Sequence, residues 1–396
     1  MSRTRVAVVV HRFGADVGGG AEEEARRVAG LLAPTHEVTV LTTCAHDYRT
    51  WADHYPPGEG DEDGLRVLRF PVPVPRDPAA FDRMTPAVYA APQDLDAGSR
   101  WMDAQGPNAP GLLDHLREHG AGYDAVVFVT YLYATTVRGL PLVADRALLV
   151  PTLHDEPPAR LRIFDPVFHA ARRVMCNTPE ERDLVLERFG VDGARAVVMG
   201  FGADPVPDAD PGAFATRRGI TRPYALCVGR LDASKGVDRL VEDHRAYRAA
   251  RPDGADLVLV GRGDLRLPDE PWLHVTGFVE EAEKHEAIAG AAVVVVPSPY
   301  ESLSIAQLDA WSHARPTLAN AASPVLVGQS RRTSGGLWYD GTGEYVVMLD
   351  FLMRNAAAAR AIGRQGRAGV RAQHSWERVA GIWRECVDAV AAEARR

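Results

Sequence analysis

Short apolar runs alternate with loops and helical stretches in both halves of this chain. The first run is Arg5–Val10, three glycines follow it at 18–20, and a helical pattern covers 21–32 before a second run at Glu37–Thr42. A strand, loop, helix and strand in this order form one unit of a parallel sheet that is covered by helices. This pattern places the chain in the α/β class.

The alternation continues along the chain and restarts after a break. In the first half it predicts strands at Ala125–Thr130, Ala147–Thr152 and Val174–Asn177 and a helix at Pro179–Phe189, with Thr178 as its N-cap. In the second half it predicts strands at Tyr224–Val228, Asp256–Val260, Trp272–Thr276 and Val293–Val296, and helices at Val237–Ala250, Glu281–Ala289 and Ser304–His313. From residue 355 onward the sequence is rich in Ala and Arg and predicts helix.

Two domains of ordinary size fit into 396 residues. We expect two doubly wound, Rossmann-like domains that face a cleft, one over 1–203 and one over 204–375. Residues 202–222, which are rich in Asp and Pro, are the expected linker. The last helix, 376–396, is expected to pack back on the first domain. Ligands of such sheets bind beyond the carboxyl ends of the strands.

Residues 46–115 interrupt the alternation. They contain many Pro, Gly and aromatic residues, and we expect an irregular segment that forms a functional rim. Trp51, Tyr55 and Trp101 are the side chains that we expect to contact an acceptor there.

Composition excludes several classes of function. The net charge of −8 works against binding to nucleic acid, which requires basic surface. No apolar run is long enough to span a membrane, although peripheral membrane contact stays possible. The four cysteines show no metal or redox spacing, and the N-terminus does not resemble a secretory signal. We therefore expect a cytoplasmic protein with buried, reduced thiols.

The segment Gly229–Gly236 (GRLDASKG) follows the first strand of the second half and precedes a helix. Its glycines allow a ligand to approach the backbone, and a helix N-terminus favours an anion. Arg230 and Lys235 add two positive charges, so the segment suits a diphosphate. The alternative is an ordinary turn with two solvated cations.

A second segment, 297–304 (PSPYESLS), runs into a helix that contains Asp309. Glu301 lies eight residues before Asp309, roughly 12 Å away along a helix. That separation suits hydroxyl groups at two ends of an extended ligand better than a hydrolytic pair. The alternative is a helix with an acidic first turn.

Together these segments resemble the retaining GT-B glycosyltransferases of family 4. The resemblance rests on GRLDASKG at 229–236, VGRGD at 260–264, TGFV at 276–279 and VPSPYESLSIAQLDA at 296–310. In the first half it rests on GGGAE at 18–22, TLHD at 152–155 and CNTPE at 176–180. The likeness covers most of the chain, and the order of the motifs makes it specific.

The resemblance implies a nucleotide-diphosphate-sugar donor, retention of anomeric configuration, no cofactor and no metal. It implies that Arg230 and Lys235 neutralise the diphosphate, that Glu301 faces the transferred sugar and that His154 lies near the reacting sugar. It implies donor contacts from Gly19, Gly20, Gly229, Arg262, Gly263, Phe278, Ser302, Leu303, Ser304 and Asp309. The acceptor stays open among a small natural product, a polysaccharide and a lipid-linked glycan.

The chain departs from the family pattern at several positions. Asp309 stands where a Glu is usual, Ala314 replaces a usual Gly, and the usual Gly-Gly after Asn320 is missing. A sugar-nucleotide epimerase, a phosphorylase and a nucleotide-sugar sensor without turnover therefore stay as alternatives.

Overall fold

The computed structural model describes residues 3–204 and 208–396. The chain forms two compact units. The first contains Met1–Gly200 and Arg378–Arg396, and the second contains Phe201–Glu377. Part of the expected linker, 205–207, lies outside the described residues, and the rest of it contains a short helix, α8 (Ala213–Arg218).

The first unit is built on a sheet of eight strands. Its order is β3-β4-β2-β1-β5-β6-β7-β8, and all neighbours pair in parallel except β3 with β4. The strands are β1 (Arg5–Val9), β2 (Glu37–Thr43), β3 (Gly58–Glu62), β4 (Leu65–Phe70), β5 (Ala125–Val129), β6 (Ala147–Val150), β7 (Arg173–Cys176) and β8 (Ala196–Val198). Residues of β1 and β5 are almost fully buried, because helices cover both faces.

The helices of the first unit begin and end with clear signals. They are α1 (Gly20–Leu32), α2 (Pro78–Ala90), α3 (Leu95–Gln105), α4 (Pro110–His119), α5 (Ala134–Gly139), α6 (Asp165–Ala170) and α7 (Pro179–Phe189). Thr178 caps α7 as predicted, since its hydroxyl accepts a hydrogen bond from the Glu181 amide. Most of the last helix, α15 (Trp376–Ala394), belongs to this unit, where Glu393 pairs with Arg172 and Arg173.

The prediction of an irregular segment over 46–115 was wrong. This segment contains β3, β4, α2, α3 and most of α4. Proline misled the prediction: it occupies the first turn of α2 and of α4, where the missing amide costs nothing. The strand β3 was missed because its sequence, GEGDE, is polar and glycine-rich, as suits an exposed edge strand. Arginines on β4 pair with its carboxylates.

The aromatic side chains of this segment are mostly core. Trp51 and Trp101 are each 1% exposed, and each indole N–H donates a hydrogen bond inside the unit, to the Gln105 carbonyl and to the Thr85 hydroxyl. The expectation that these two residues contact an acceptor is therefore wrong. Tyr55 donates to the Asp16 carboxylate at the surface.

The second unit is built on a sheet of six parallel strands in the order β11-β10-β9-β12-β13-β14. The strands are β9 (Tyr224–Val228), β10 (Asp256–Val260), β11 (Leu273–Gly277), β12 (Val293–Val296), β13 (Thr317–Asn320) and β14 (Gly336–Tyr339). The helices are α8, α9 (Val237–Ala250), α10 (Glu281–Gly290), α11 (Ile305–Ser312), α12 (Pro324–Thr333), α13 (Gly341–Arg354) and α14 (Ala356–Gln373). Here the predicted strands and helices agree closely with the structure, but β13, β14, α8, α12 and α13 were missed.

Alternating residues of the central strands enter two separate cores. Ala225, Leu257 and Val293 pack on one face of the sheet, and Leu226 and Val294 pack on the other. A sheet that is buried on both faces in this way is doubly wound. Both units therefore have the predicted Rossmann-like architecture.

A buried carboxyl group in α1 makes the stability of the first unit depend on pH. Burial raises the pKa of Glu24 to about 7, because the carboxyl is fully enclosed and receives only a hydrogen bond from the neutral Asn177 amide. Unfolding therefore releases a proton between pH 4.5 and 7, and the free energy of unfolding falls as pH rises through this range.

We predict that Glu24→Gln, which keeps the shape of the side chain and removes its charge, has the same free energy of unfolding as the wild type near pH 5 and a higher one at pH 8. The gain is roughly 1–3 kcal/mol. Urea unfolding at both pH values measures it, with the exposed Glu187→Gln on α7 as control. A gain of equal size at pH 5 and pH 8 would contradict the assignment.

Candidate active site

The candidate site of the second unit lies where the winding of its sheet reverses. Strand β9 pairs with β10 on one side and with β12 on the other, so the chain runs outward in both directions from this pair. The loops after β9 and β12 leave the carboxyl ends of these two strands, which is the position where open α/β sheets bind ligands. They are the two segments that the sequence singled out, 229–236 and 297–304.

Glycines let the loops after β9 and β10 pack backbone against backbone. A Cβ atom on Gly261 would lie 1.8 Å from the Gly229 carbonyl oxygen, and one on Gly263 would lie 2.0 Å from the Leu231 carbonyl oxygen. The Leu231 amide donates to the Arg262 carbonyl at 2.9 Å. Gly229 and Gly261 also have φ values of +140° and +144°, which disfavour other residues. Gly229 and Gly263 therefore shape the loops at this edge.

Lys235 joins the two loops. Asp232 caps a single helical turn, Ala233–Lys235, and so fixes the backbone that carries the lysine. The Lys235 ammonium lies 2.7 Å from the Glu301 carboxylate, and both side chains are at least two-thirds buried. Arg230, at the start of the same loop, is half-exposed and has only a 3.5 Å approach to Asp232. The structure thus brings Lys235 and Glu301 together and leaves Arg230 accessible.

The loop after β12 is anchored on both sides. The Asn320 side chain donates to the Pro297 carbonyl at 2.8 Å, and the Gln329 side chain accepts from the Ser304 amide at 2.9 Å. Ser304 is the N-cap of α11 and accepts from the Gln307 amide. Ser302 and Leu303 are half-buried between these anchors.

Asp309 lies on α11, and its carboxylate is 3.1 Å from the Lys284 ammonium of α10. Sequence reasoning missed the pairing of Lys284 with Asp309. Arg262 and Phe278 follow β10 and β11, and the guanidinium lies over the ring at 5.2 Å from its centroid. Phe278 is 62% exposed, so this stacked pair presents a flat apolar surface to solvent.

In the first unit, Gly19 precedes α1 with a φ of +151°, and Gly20 is the first residue of the helix, one residue earlier than predicted. Behind this turn, Glu22 is buried between His11 and Arg12. Burial alone would raise the pKa of Glu22, but these two partners hold it at about 2. The carboxylate therefore stays ionised and ties the glycine loop to the residues that follow β1.

His154 follows β6 and is one-quarter exposed, with its Nδ1 atom 3.1 Å from the Glu156 carboxylate. The neighbouring residue, Leu153, is held by the buried Glu181 side chain. The Glu181 carboxyl group accepts hydrogen bonds from the Leu153 amide at 2.6 Å and from the Asn177 amide. Burial raises the pKa of Glu181 well above its ordinary value. Sequence reasoning missed this support, although CNTPE directed attention to its neighbours.

Within the described residues, no group of three or more His, Cys, Asp or Glu side chains is arranged to hold a metal ion. Across 3–204 and 208–396, no helix is both long and apolar enough to cross a membrane.

Comparison with known proteins finds one family match within the second unit. Residues 222–339 match the model of the glycosyl transferases group 1. The chain is 29% identical over 235 residues to the alpha-D-kanosaminyltransferase of Streptomyces kanamyceticus, covering 53% of this chain and 60% of that one. It is 29% identical over 232 residues to the D-inositol 3-phosphate glycosyltransferase of Kineococcus radiotolerans, covering 52% of each chain. These alignments thus span less than two-thirds of either relative.

The fold comparison covers the whole chain. The structure of Anabaena HepE in complex with UDP matches 98% of this chain and all of its own, with a TM-score of 0.70 at 13% sequence identity. The identity is too low to transfer a function, but the likeness establishes the GT-B fold. The chain is therefore similar to the glycosyl transferases group 1 over residues 222–339, and it has the GT-B fold over nearly its whole length.

Proposed function

We propose that this protein transfers a sugar from a nucleoside-diphosphate sugar to an acceptor, with retention of the anomeric configuration. The observation that carries the proposal is the Lys235–Glu301 pair at the reversal of the second sheet. In this proposal Lys235 is the cation for the leaving diphosphate and Glu301 is the carboxylate for the transferred sugar, on the loops that follow β9 and β12. The names of the relatives and the UDP bound to HepE support the donor class.

The chemistry assigned to these residues is electrostatic. Cleavage of the bond between the sugar and the diphosphate develops negative charge on the leaving oxygen. Arg230 and Lys235 would stabilise that charge as it forms, which lowers the barrier without a metal. The departing phosphate oxygen could then take the proton of the acceptor while the acceptor attacks the sugar on the same face. The proposal assigns His154 and the Gly19–Gly20 turn to the reacting sugar and the phosphate.

The remaining donor contacts are assigned as the family resemblance implies. The Arg262–Phe278 pair is assigned to the nucleoside, and the segment Ser302–Ser304 to oxygens of the sugar or phosphate. Asp309 is assigned to the ribose. The acceptor class stays among a small natural product, a polysaccharide and a lipid-linked glycan. A lipid-linked acceptor would require peripheral membrane contact, for which α14 offers four exposed arginines and no acidic residue.

Replacement of either Arg230 or Lys235 by alanine should weaken nucleotide binding. A charge-assisted hydrogen bond contributes about 1.5–3 kcal/mol, so we expect a 10- to 100-fold loss of affinity for a nucleoside diphosphate. The loss should be larger for Lys235→Ala, because it also leaves Glu301 unpaired beside the anion. Calorimetry measures both, with Arg245→Ala as control, since Arg245 is an exposed arginine of the same unit that pairs with Glu270. Unchanged affinity in both variants would refute the diphosphate assignment.

Product analysis tests the reaction itself. Purified protein should consume a nucleotide sugar only when an acceptor is present, and the product should keep the donor's anomeric configuration. Consumption without an acceptor would indicate an epimerase, a requirement for free phosphate would indicate a phosphorylase, and binding without turnover would indicate a sensor.

Glu301→Gln should abolish most of this turnover and change nucleoside diphosphate affinity less than threefold. The physical reason is that Glu301 is assigned to the sugar, where charge changes only in the transition state. Donor-varied kinetics beside calorimetry separate the two effects. Equal losses in turnover and in nucleotide affinity would show that Glu301 supports the loop instead.

A further inference from the structure

The chain contains only two lysines among its 45 basic residues, and both contact a carboxylate of the same segment. Lys235 pairs with Glu301 at 2.7 Å, and Lys284 pairs with Asp309 at 3.1 Å. Each lysine reduces the repulsion that its partner carboxylate would exert on an anionic ligand.

Lys284 is held as a cation in a largely enclosed position. It lies on α10, its side chain is 20% exposed, and its ammonium also contacts Glu281 at 2.5 Å. Burial lowers the pKa of Lys284, but Asp309 and Glu281 outweigh this effect and raise it. An ammonium group has three N–H donors. The contacts with described residues use two of them, which leaves one for a ligand.

A purely structural role explains this pair poorly. Helices α10 and α11 are already joined beside it by a hydrogen bond of 2.9 Å between the His285 and His313 rings. A partly exposed ion pair adds little to stability. Asp309 is 24% exposed and lies on α11, the helix that follows the loop after β12, so the pair reaches the surface with a donor and an acceptor next to each other.

We propose that Lys284 is a donor-binding residue, and that the Lys284–Asp309 pair receives the ribose diol of the nucleotide sugar. The ammonium donates to one hydroxyl oxygen, and the carboxylate accepts from the other hydroxyl. A carboxylate alone offers only acceptors, whereas the pair offers one of each, and this matches the two adjacent hydroxyls of a ribose. The inference rests on the proposed function, since it assumes a nucleotide donor at this edge.

The test compares nucleotides that differ by one hydroxyl. UDP, 2′-deoxy-UDP and 3′-deoxy-UDP are titrated by calorimetry into the wild type, Lys284→Met, Lys284→Arg and Asp309→Asn. Arg218→Met is the matched control, because Arg218 is a cation that pairs with Glu283 of the same helix α10 at 2.7 Å, away from the pair. GDP and ADP are titrated as well, because the base of the donor is not known. The deoxy forms are then used for the nucleotide that binds.

We expect Lys284→Met to weaken binding of the ribonucleotide about tenfold and to change binding of one deoxy form less than twofold. Lys284→Arg should retain most of the affinity, and Arg218→Met should match the wild type. Two results would overturn the inference: an unchanged affinity in Lys284→Met, or an equal loss for the ribonucleotide and both deoxy forms, which indicates support of Asp309 or general charge.

Two further outcomes are decided by the wild type. If Lys284→Met does not fold, Lys284→Gln replaces it in the titrations. The wild type must in any case bind each deoxy form at least fivefold more weakly than the ribonucleotide. If the wild type binds no nucleoside diphosphate at all, the proposed function itself fails, and this inference fails with it. Normal binding with no discrimination against either deoxy form overturns only the inference.

Discussion

The parallel pairing of β9 with both β10 and β12 is the constraint on which the site depends. Because the chain winds in opposite directions from these neighbouring strands, the helices that follow them lie on opposite faces of the sheet, and the loops separate at its carboxyl edge. Backbone-to-backbone packing at Gly261 and Gly263 holds the loop after β10 against the first loop. The ion pair between Lys235 and Glu301 then spans the gap.

Buried carboxyl groups give the first unit a comparable framework. Three of them, Glu22, Glu24 and Glu181, lie beneath the loops that carry the glycine turn and His154, and their surroundings shift their pKa values in opposite directions. Glu22 lies between two cationic or protonatable side chains and stays ionised. Glu24 and Glu181 receive hydrogen bonds from amides alone, and burial raises their pKa values. Burial acts on all three carboxyl groups, and only the charged or protonatable partners of Glu22 outweigh it.

The sequence predicted the second unit more accurately than the first. Strands such as Tyr224–Val228 are short, wholly apolar and bounded by glycine or proline, and periodicity identifies them directly. The strand β3 and the helices α2–α4 depend on pairing and capping that composition conceals, so they were missed. Motifs indicated the candidate site residues, but the Lys284–Asp309 pair links two helices, and no local pattern indicates a contact across 25 positions.

A thermal-shift screen of the intact protein tests the central claim that this chain binds a nucleoside-diphosphate sugar. The account predicts that at least one such sugar and its parent nucleoside diphosphate raise the melting temperature, with the nucleoside monophosphate and NAD giving little or no shift. Binding to the folded state alone raises stability in proportion to the logarithm of ligand concentration, so the shift should grow over a titration. No shift with any nucleotide sugar, or an equal shift with NAD, would contradict the account.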